Sequence, residues 1–272
     1  MRVAVTGASG RMGREVLSVA REREGWEVWA VSRSSRGEFD GVGIEPASEF
    51  GALLEAREPD AVVDFTVPGA SVEYVEACAE AGVPAVVGTT GFDEDERAAL
   101  RDASTRVPVL KAANFARGVQ ALLDVVRAAV AAMPGYDIEV TETHHNGKRD
   151  APSGTANTLL DAIEETRDES EAQRASQSSG QGPRDDASRR VHGREGEAPR
   201  TEGEIGVHAR RAGDITGEHE VLLADNHEEL RLTHRAESRG VFAAGALDAA
   251  DWLAGRAPGW YDFSAVLAED ST

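Results

Sequence analysis

Between Glu142 and Ala156 the chain reads ETHHNGKRDAPSGTA, which sets two histidines, one lysine and a helix-opening SGT within fifteen residues. Imidazole and ammonium groups can trade protons near neutral pH, and the first amides of a helix hold anions. Lysine is scarce elsewhere: among 29 lysines and arginines only Lys111 and Lys148 are lysine. A guanidinium keeps its proton where an ammonium can release it, so Lys148 marks a place where proton transfer is needed. Neighbouring side chains at a strand end face opposite ways; one of His144 and His145 therefore acts as acid or base while the other orients. Ser153 is a natural N-cap, and the amides of Gly154 and Thr155 can hold a carboxylate. Plain capping would account for the serine equally well. Lys148 and Arg149 make this stretch cationic in a chain of net charge −20, which suits an anionic substrate.

A second place where chemistry gathers is the amino terminus. Residues 3–13 read VAVTGASGRMG, a hydrophobic run that passes through Gly7, Gly10 and Gly13 into a helical pattern. Glycine lets a backbone approach a ligand closely, and unpaired N–H groups at a helix start stabilise a pyrophosphate. The spacing is GxxGxxG rather than GxGxxG, so the position of the turn carries the reading of a dinucleotide site more than the pattern does. The next strand end reads AVSRSSR. It offers Ser32, Arg33, Ser34 and Arg36 where an acid would hold a ribose diol, so NADPH should be accepted at least as well as NADH. Two further turns, DFTVPGA from Asp64 and GTTGF from Gly88, fall at strand ends where ligands of open sheets bind.

Elements that could position these groups follow from the periodicity. Strands are expected at Val3–Thr6, Val28–Ser32, Ala61–Phe65, Ala85–Gly88 and Val107–Ala112. They alternate with helices over Arg11–Arg23, Phe50–Arg57, Ala70–Ala81 and Glu94–Ala103, the order of a parallel sheet covered on both faces. The fold class is α/β: a Rossmann-like doubly wound parallel sheet, then a second α+β domain with a mixed sheet. In that second part a helix over Gly118–Met133 leads to a strand at Tyr136–Thr143, and another helix runs from Thr155 to about Thr166. Residues 168–202 carry almost no apolar side chains and read as a long mobile loop. Strands resume at Ile205–Arg210, Glu220–Leu223 and Leu230–His234, and a final helix covers Val241–Leu253.

With 272 residues and acidic side chains spread along the chain, two domains are favoured, and nucleic acid or anionic membrane surfaces would be repelled. The acidity and lack of lysine suggest a salt-rich cytoplasm. The melting temperature should fall between molar and dilute salt, and an unchanged value would remove that idea. Cys78, the single cysteine, is expected to be a buried packing residue. No apolar run approaches the roughly 18 to 20 residues needed to span a bilayer, and no metal-ligand pattern stands out.

Taken together, GASGRMG, DFTVPGA, GTTGF, AANFARGV, the HH–K–DAPSGT block, GEIGVHARRAGDITGEHEV and THRAESRGVFAAGAL resemble the dihydrodipicolinate reductase family, whose members are now described as 4-hydroxy-tetrahydrodipicolinate reductases of the diaminopimelate route to lysine. The resemblance implies NADPH or NADH as hydride donor to a cyclic dicarboxylate. His144 would be the acid/base group and Lys148 the proton donor, with His145, Ser153, Gly154 and Thr155 at the substrate. The cofactor would lie on Gly7, Ala8, Ser9, Gly10, Arg11, Met12, Arg33, Gly88, Thr89, Thr90, Ala112, Ala113, Asn114 and Phe115. Residue 32 is serine where family members often carry an acid that helps accept NADH. The resemblance also implies a cytoplasmic homotetramer. Its dinucleotide domain would cover 1–114 with a return at 240–272, and its substrate and oligomerisation domain 115–239. Two other readings of the residues remain: another small-substrate NAD(P)-dependent dehydrogenase, or an NADP(H) sensor without turnover.

Overall fold

The computed structural model describes residues 1–33, 37–177 and 189–270. Two compact units emerge, residues 1–117 with 239–272, and residues 118–238. In the first unit β1 (Arg2–Thr6), α1 (Arg11–Arg21), β2 (Glu27–Ser32), β3 (Gly37–Phe39) and β4 (Val42–Pro46) are followed by α2 (Phe50–Arg57), β5 (Ala61–Asp64), α3 (Pro68–Ala81), β6 (Ala85–Val87), α4 (Glu94–Ala103) and β7 (Pro108–Lys111). The second unit is built from α5 (Arg117–Ala132), β8 (Asp137–His144), α6 (Gly154–Gln177), β9 (Arg189–His192), β10 (Glu204–Arg211), β11 (Gly217–Asp225) and β12 (Glu228–Ala236). The chain then supplies α7 (Gly240–Leu253), β13 (Gly259–Tyr261) and α8 (Phe263–Asp270) to the first unit.

The first sheet has the order β13-β7-β6-β5-β1-β2-β4-β3. All its pairs are parallel except β3 with β4. The strand order turns outward in both directions from β1, with β2 on one side and β5 on the other, which opens a crevice at the carboxyl ends of these strands. Burial explains why the strands read as continuous Val and Ala runs: Val3, Ala4, Val5 and Val62, Val63 are at most 1% exposed, on both faces of the sheet. One core forms around α1 and α7, with Val16, Leu17, Ala246 and Leu247. The other forms around α2, α3 and α4, with Leu54, Val75, Cys78 and Leu100. The start of α4 is fixed by a reciprocal pair, in which the Glu96 amide donates to Asp93 Oδ1 and the Asp93 amide donates to Glu96 Oε2, both at 2.9 Å. Along α7 the buried residues are mostly Ala and Gly. A Cβ on Gly245 would stand 1.9 Å from the Phe115 carbonyl oxygen, so helix and backbone meet there without side chains.

The second sheet is mixed, in the order β12-β11-β8-β10-β9. Strands β8, β10 and β9 are parallel, while β11 is antiparallel to both β8 and β12. The buried side chains of this unit include Leu159, Leu160 and Ile163 from α6 and Ile138, Val140, Ile205, Val221 and Leu223 from the strands.

Three features differ from the sequence reading. The stretch 168–202 is not one long loop: α6 continues to Gln177, and β9 lies inside it. Glu, Gln, Arg and Ala favour a helix whatever their polarity, so the missing apolar stripe concealed the extension. The β3–β4 hairpin was missed because its strands are three and five residues long and interrupted by glycine. At the end of the chain β13 and α8 were missed too, the strand having only three residues. Ser34, Arg36 and the span 178–188 lie outside the described residues.

Candidate active site

Glu142 organises the second unit's candidate site. It sits on β8 with its side chain 1% exposed. Arg211 grips both its oxygens, Nη1 to Oε2 at 2.8 Å and Nη2 to Oε1 at 2.7 Å, a bidentate pairing that suits burial. His144 Nδ1 lies 2.5 Å from Oε2, and the Ser153 amide donates to Oε1 at 3.1 Å. Sheet register brings these groups together: Arg211 stands opposite His144, and His219 opposite Glu142. One carboxylate thus ties the ends of β8 and β10 to the residue that caps α6.

His219 extends the cluster. Its ring meets His144 edge to face at 5.2 Å between centroids, and its Nε2 lies 2.9 Å from Ser153 Oγ. That hydroxyl also accepts from the Ala156 amide at 3.1 Å, the N-cap that the sequence implied. Gly154 and Thr155 form the first turn of α6. Lys148 Nζ is held by Asp150 at 2.9 Å, and the Lys148 amide bonds to the His145 carbonyl. His145 is half-buried in the tight turn that carries Lys148.

These contacts set the protonation states. Burial lowers the pKa of His144, and the Glu142 carboxylate only partly restores it. Burial, reinforced by the His144 charge, pushes His219 down to about 3. For Glu142 burial works against ionisation, but the hydrogen bonds from Arg211 and His144 outweigh it and hold the carboxyl below its ordinary range. Asp150 follows the same logic, with Lys148 overcoming burial. At neutral pH, then, an ionised Glu142 faces a neutral His144. Its oxygen holds the proton on Nδ1, which leaves Nε2 as the basic nitrogen.

The first unit gathers its turns at the carboxyl ends of β1, β5 and β6. Gly7 has φ of +72°, and a Cβ there would stand 2.6 Å from the Phe65 carbonyl oxygen. A Cβ on Gly88 would stand 2.1 Å from the Phe65 ring. Helix α1 opens on Gly10 with no side-chain cap, so its first turn, with Arg11 and Met12, suits a pyrophosphate. Ser9 Oγ lies 2.8 Å from Ser32 Oγ, and Arg33, the residue after Ser32, is exposed. Ala8, Thr89 and Phe115 are buried, at 0%, 4% and 1% exposure. Phe115 packs between Phe65 and Phe263, so a ligand at Phe115 would meet its backbone rather than its ring. Asn114 uses its own Oδ1 to accept from the Ala116 amide at 2.8 Å. Cys78 is fully buried, and burial pushes its thiol pKa up, which unsuits it as a nucleophile. Among the described residues no group of three His, Cys, Asp or Glu could hold a metal ion, and no helix is long and apolar enough to cross a membrane.

The sequence reading gave no role to Glu142, Asp150, Arg211 or His219. Glu142 and Asp150 lay in or beside the motif that drew attention, and a carboxylate two residues from a histidine or a lysine was the available signal. Arg211 and His219 are 69 and 77 positions from Glu142, and only strand register unites them.

A doubly wound sheet with an uncapped glycine turn, joined in one chain to a histidine and lysine cluster, defines a nucleotide-dependent oxidoreductase. Residues 1–115 match the family model for the dihydrodipicolinate reductase N-terminus, and residues 118–267 that for its C-terminus. The chain belongs to the dihydrodipicolinate reductase family, oxidoreductases of the diaminopimelate route to lysine. It is 60% identical over 263 residues to the 4-hydroxy-tetrahydrodipicolinate reductase of Natronomonas pharaonis, covering 97% of this chain and 98% of the relative. To the enzyme of the same name from Haloarcula marismortui it is 50% identical over 266 residues, covering 98% of each. Both are halophilic archaea, in keeping with the acidic composition. A dipicolinate-bound dihydrodipicolinate reductase from Paenisporosarcina sp. TG-14 shares the fold, with a TM-score of 0.72, 23% identity, and 96% of this chain and 97% of that one covered.

Proposed function

We propose that the chain reduces 4-hydroxy-tetrahydrodipicolinate to tetrahydrodipicolinate, the 4-hydroxyl leaving as water, with NADPH accepted at least as well as NADH, as a cytoplasmic homotetramer. The observation that carries the reading is the Glu142 anchor, which holds His144 and the start of α6 together in one cluster. When bound, the nicotinamide supplies the hydride. The amides of Gly154 and Thr155, with His145 and Ser153, hold substrate carboxylates, since a helix start favours anions. Lys148, steadied by Asp150, gives a proton to the centre that hydride addition leaves electron-rich. His144 Nε2 exchanges protons with substrate, its basicity set by burial against Glu142. In the first unit Gly7, Ala8, Ser9, Gly10, Arg11 and Met12 hold the pyrophosphate and Arg33 the 2′-phosphate. Gly88, Thr89 and Thr90, with the backbone of Ala112 to Phe115, support the nicotinamide half. Serine at residue 32, in place of an acid, is what favours NADPH.

The test couples the protein to the aldol condensation of pyruvate with aspartate semialdehyde and follows loss of NADPH absorbance. Lys148→Ala and His144→Ala should each slow turnover by about two to four orders of magnitude with cofactor affinity nearly intact. NADPH binding without oxidation in the wild type would instead favour a nucleotide sensor.

A further inference from the structure

Asp64 ends β5 with a side chain that is 0% exposed. Its two oxygens accept four hydroxyl hydrogen bonds: Oδ1 from Thr6 at 2.5 Å and Thr66 at 2.7 Å, Oδ2 from Ser71 at 2.7 Å and Thr89 at 2.6 Å. Among the described residues no cation pairs with it. Burying a carboxylate costs several kcal/mol, and apolar packing would fasten the same strands with less penalty. What the carboxylate adds is direction, because each hydroxyl is held at one place. Three of the four belong to the ligand-facing turns. Thr6 immediately precedes Gly7, Thr66 begins the turn after β5, and Thr89 lies in the GTTGF turn after β6. Thr89 Oγ1 also accepts the Thr66 amide at 2.8 Å, which links two of those turns directly. Only Ser71 stands apart, in the first part of α3.

We propose that Asp64 is the positioning residue that locks these three turns into one dinucleotide-binding surface, and that it sets cofactor affinity without touching the cofactor. The proposal rests on reading the turns as the dinucleotide site. Freed from Asp64, each turn would shift on its own strand, and a displacement of about 1 Å is enough to cost large factors in a positioned complex.

Thr6 and Ser71 provide the discriminating pair. Both are 0% exposed and neither can reach a ligand, and each gives Asp64 one hydrogen bond. Thr6 is the last residue before the Gly7 turn, whereas Ser71 lies inside α3 as its fourth residue. Binding is read as NADPH fluorescence on the full chain in molar salt, with melting temperature alongside. Asp64→Asn should raise the Kd for NADPH about tenfold or more, while kcat at saturating cofactor stays within about threefold. Thr6→Val should raise Kd in the same direction, and Ser71→Ala should leave it unchanged although both lower the melting temperature. Equal Kd shifts in Thr6→Val and Ser71→Ala would overturn the proposal, as would wild-type affinity in Asp64→Asn. If Asp64→Asn does not fold, the Thr6 and Ser71 pair decides. A wild type that binds NADPH without oxidising it would sink the proposed reaction and leave the Kd comparison standing. One that binds no dinucleotide would sink both.

Discussion

Each unit is organised by one buried carboxylate, and the two are partnered in opposite ways. Asp64 takes four neutral hydroxyls. Glu142 takes a guanidinium, an imidazole and a backbone amide. Hydroxyls carry no charge and each is held at one place, so the first arrangement fixes geometry. The second couples a carboxylate to a ring whose protonation the proposed reaction would use, so it both holds and tunes. A turn that binds a cofactor needs the first property. A group that moves protons needs the second.

Removing each carboxylate tests this contrast most severely. Glu142→Ala leaves Arg211 charged without its partner and His144 Nδ1 without an acceptor, and should cost about 3–5 kcal/mol of stability. Asp64→Asn should cost about 1–3 kcal/mol, since two of the four hydroxyls lose their acceptor. Melts in molar salt would measure both, and equal losses would erase the distinction.

Acid should act on the second unit's cluster next. His144 and His219 have folded pKa values lowered by burial, His219 to about 3. Their contribution to stability is complete above the unfolded value of about 6.5 and is lost as pH falls from there toward the folded values. Glu142 and Asp150, also depressed, add a further loss at still lower pH. Melting temperature should therefore fall from about pH 6.5 downward, and His219→Gln should flatten that slope. A slope unchanged by that substitution would place the pH dependence elsewhere.

A smaller effect should come from Arg33→Ala, which should shift the ratio of kcat/KM for NADPH over NADH toward NADH by about tenfold, the worth of a charge-assisted hydrogen bond. An unchanged ratio would free Arg33 from the 2′-phosphate.

Much of the fold was legible because periodicity and burial agree. The Val and Ala runs became β1, β5 and β6, and α2 and α4 begin and end where the sequence placed them. The histidines, Lys148 and the SGT cap were legible because they adjoin in sequence. Arg211 and His219 were not, since a strand's partner and register are long-range facts that a local pattern does not encode. Asp64 lay in plain view inside DFTVPGA. An acid closing the apolar run AVV was the available clue, but its four partners are three ordinary threonines and a serine.

The small-residue contact between α7 and the Phe115 backbone carries a consequence for synthesis. Residues 239–272 leave the ribosome after the middle unit, yet they supply an outer strand and much of one core of the amino-terminal unit. The unit translated first must therefore wait, incomplete, while the middle unit emerges, and a nascent chain stalled before α7 would carry a complete second unit and a first unit whose core is still open.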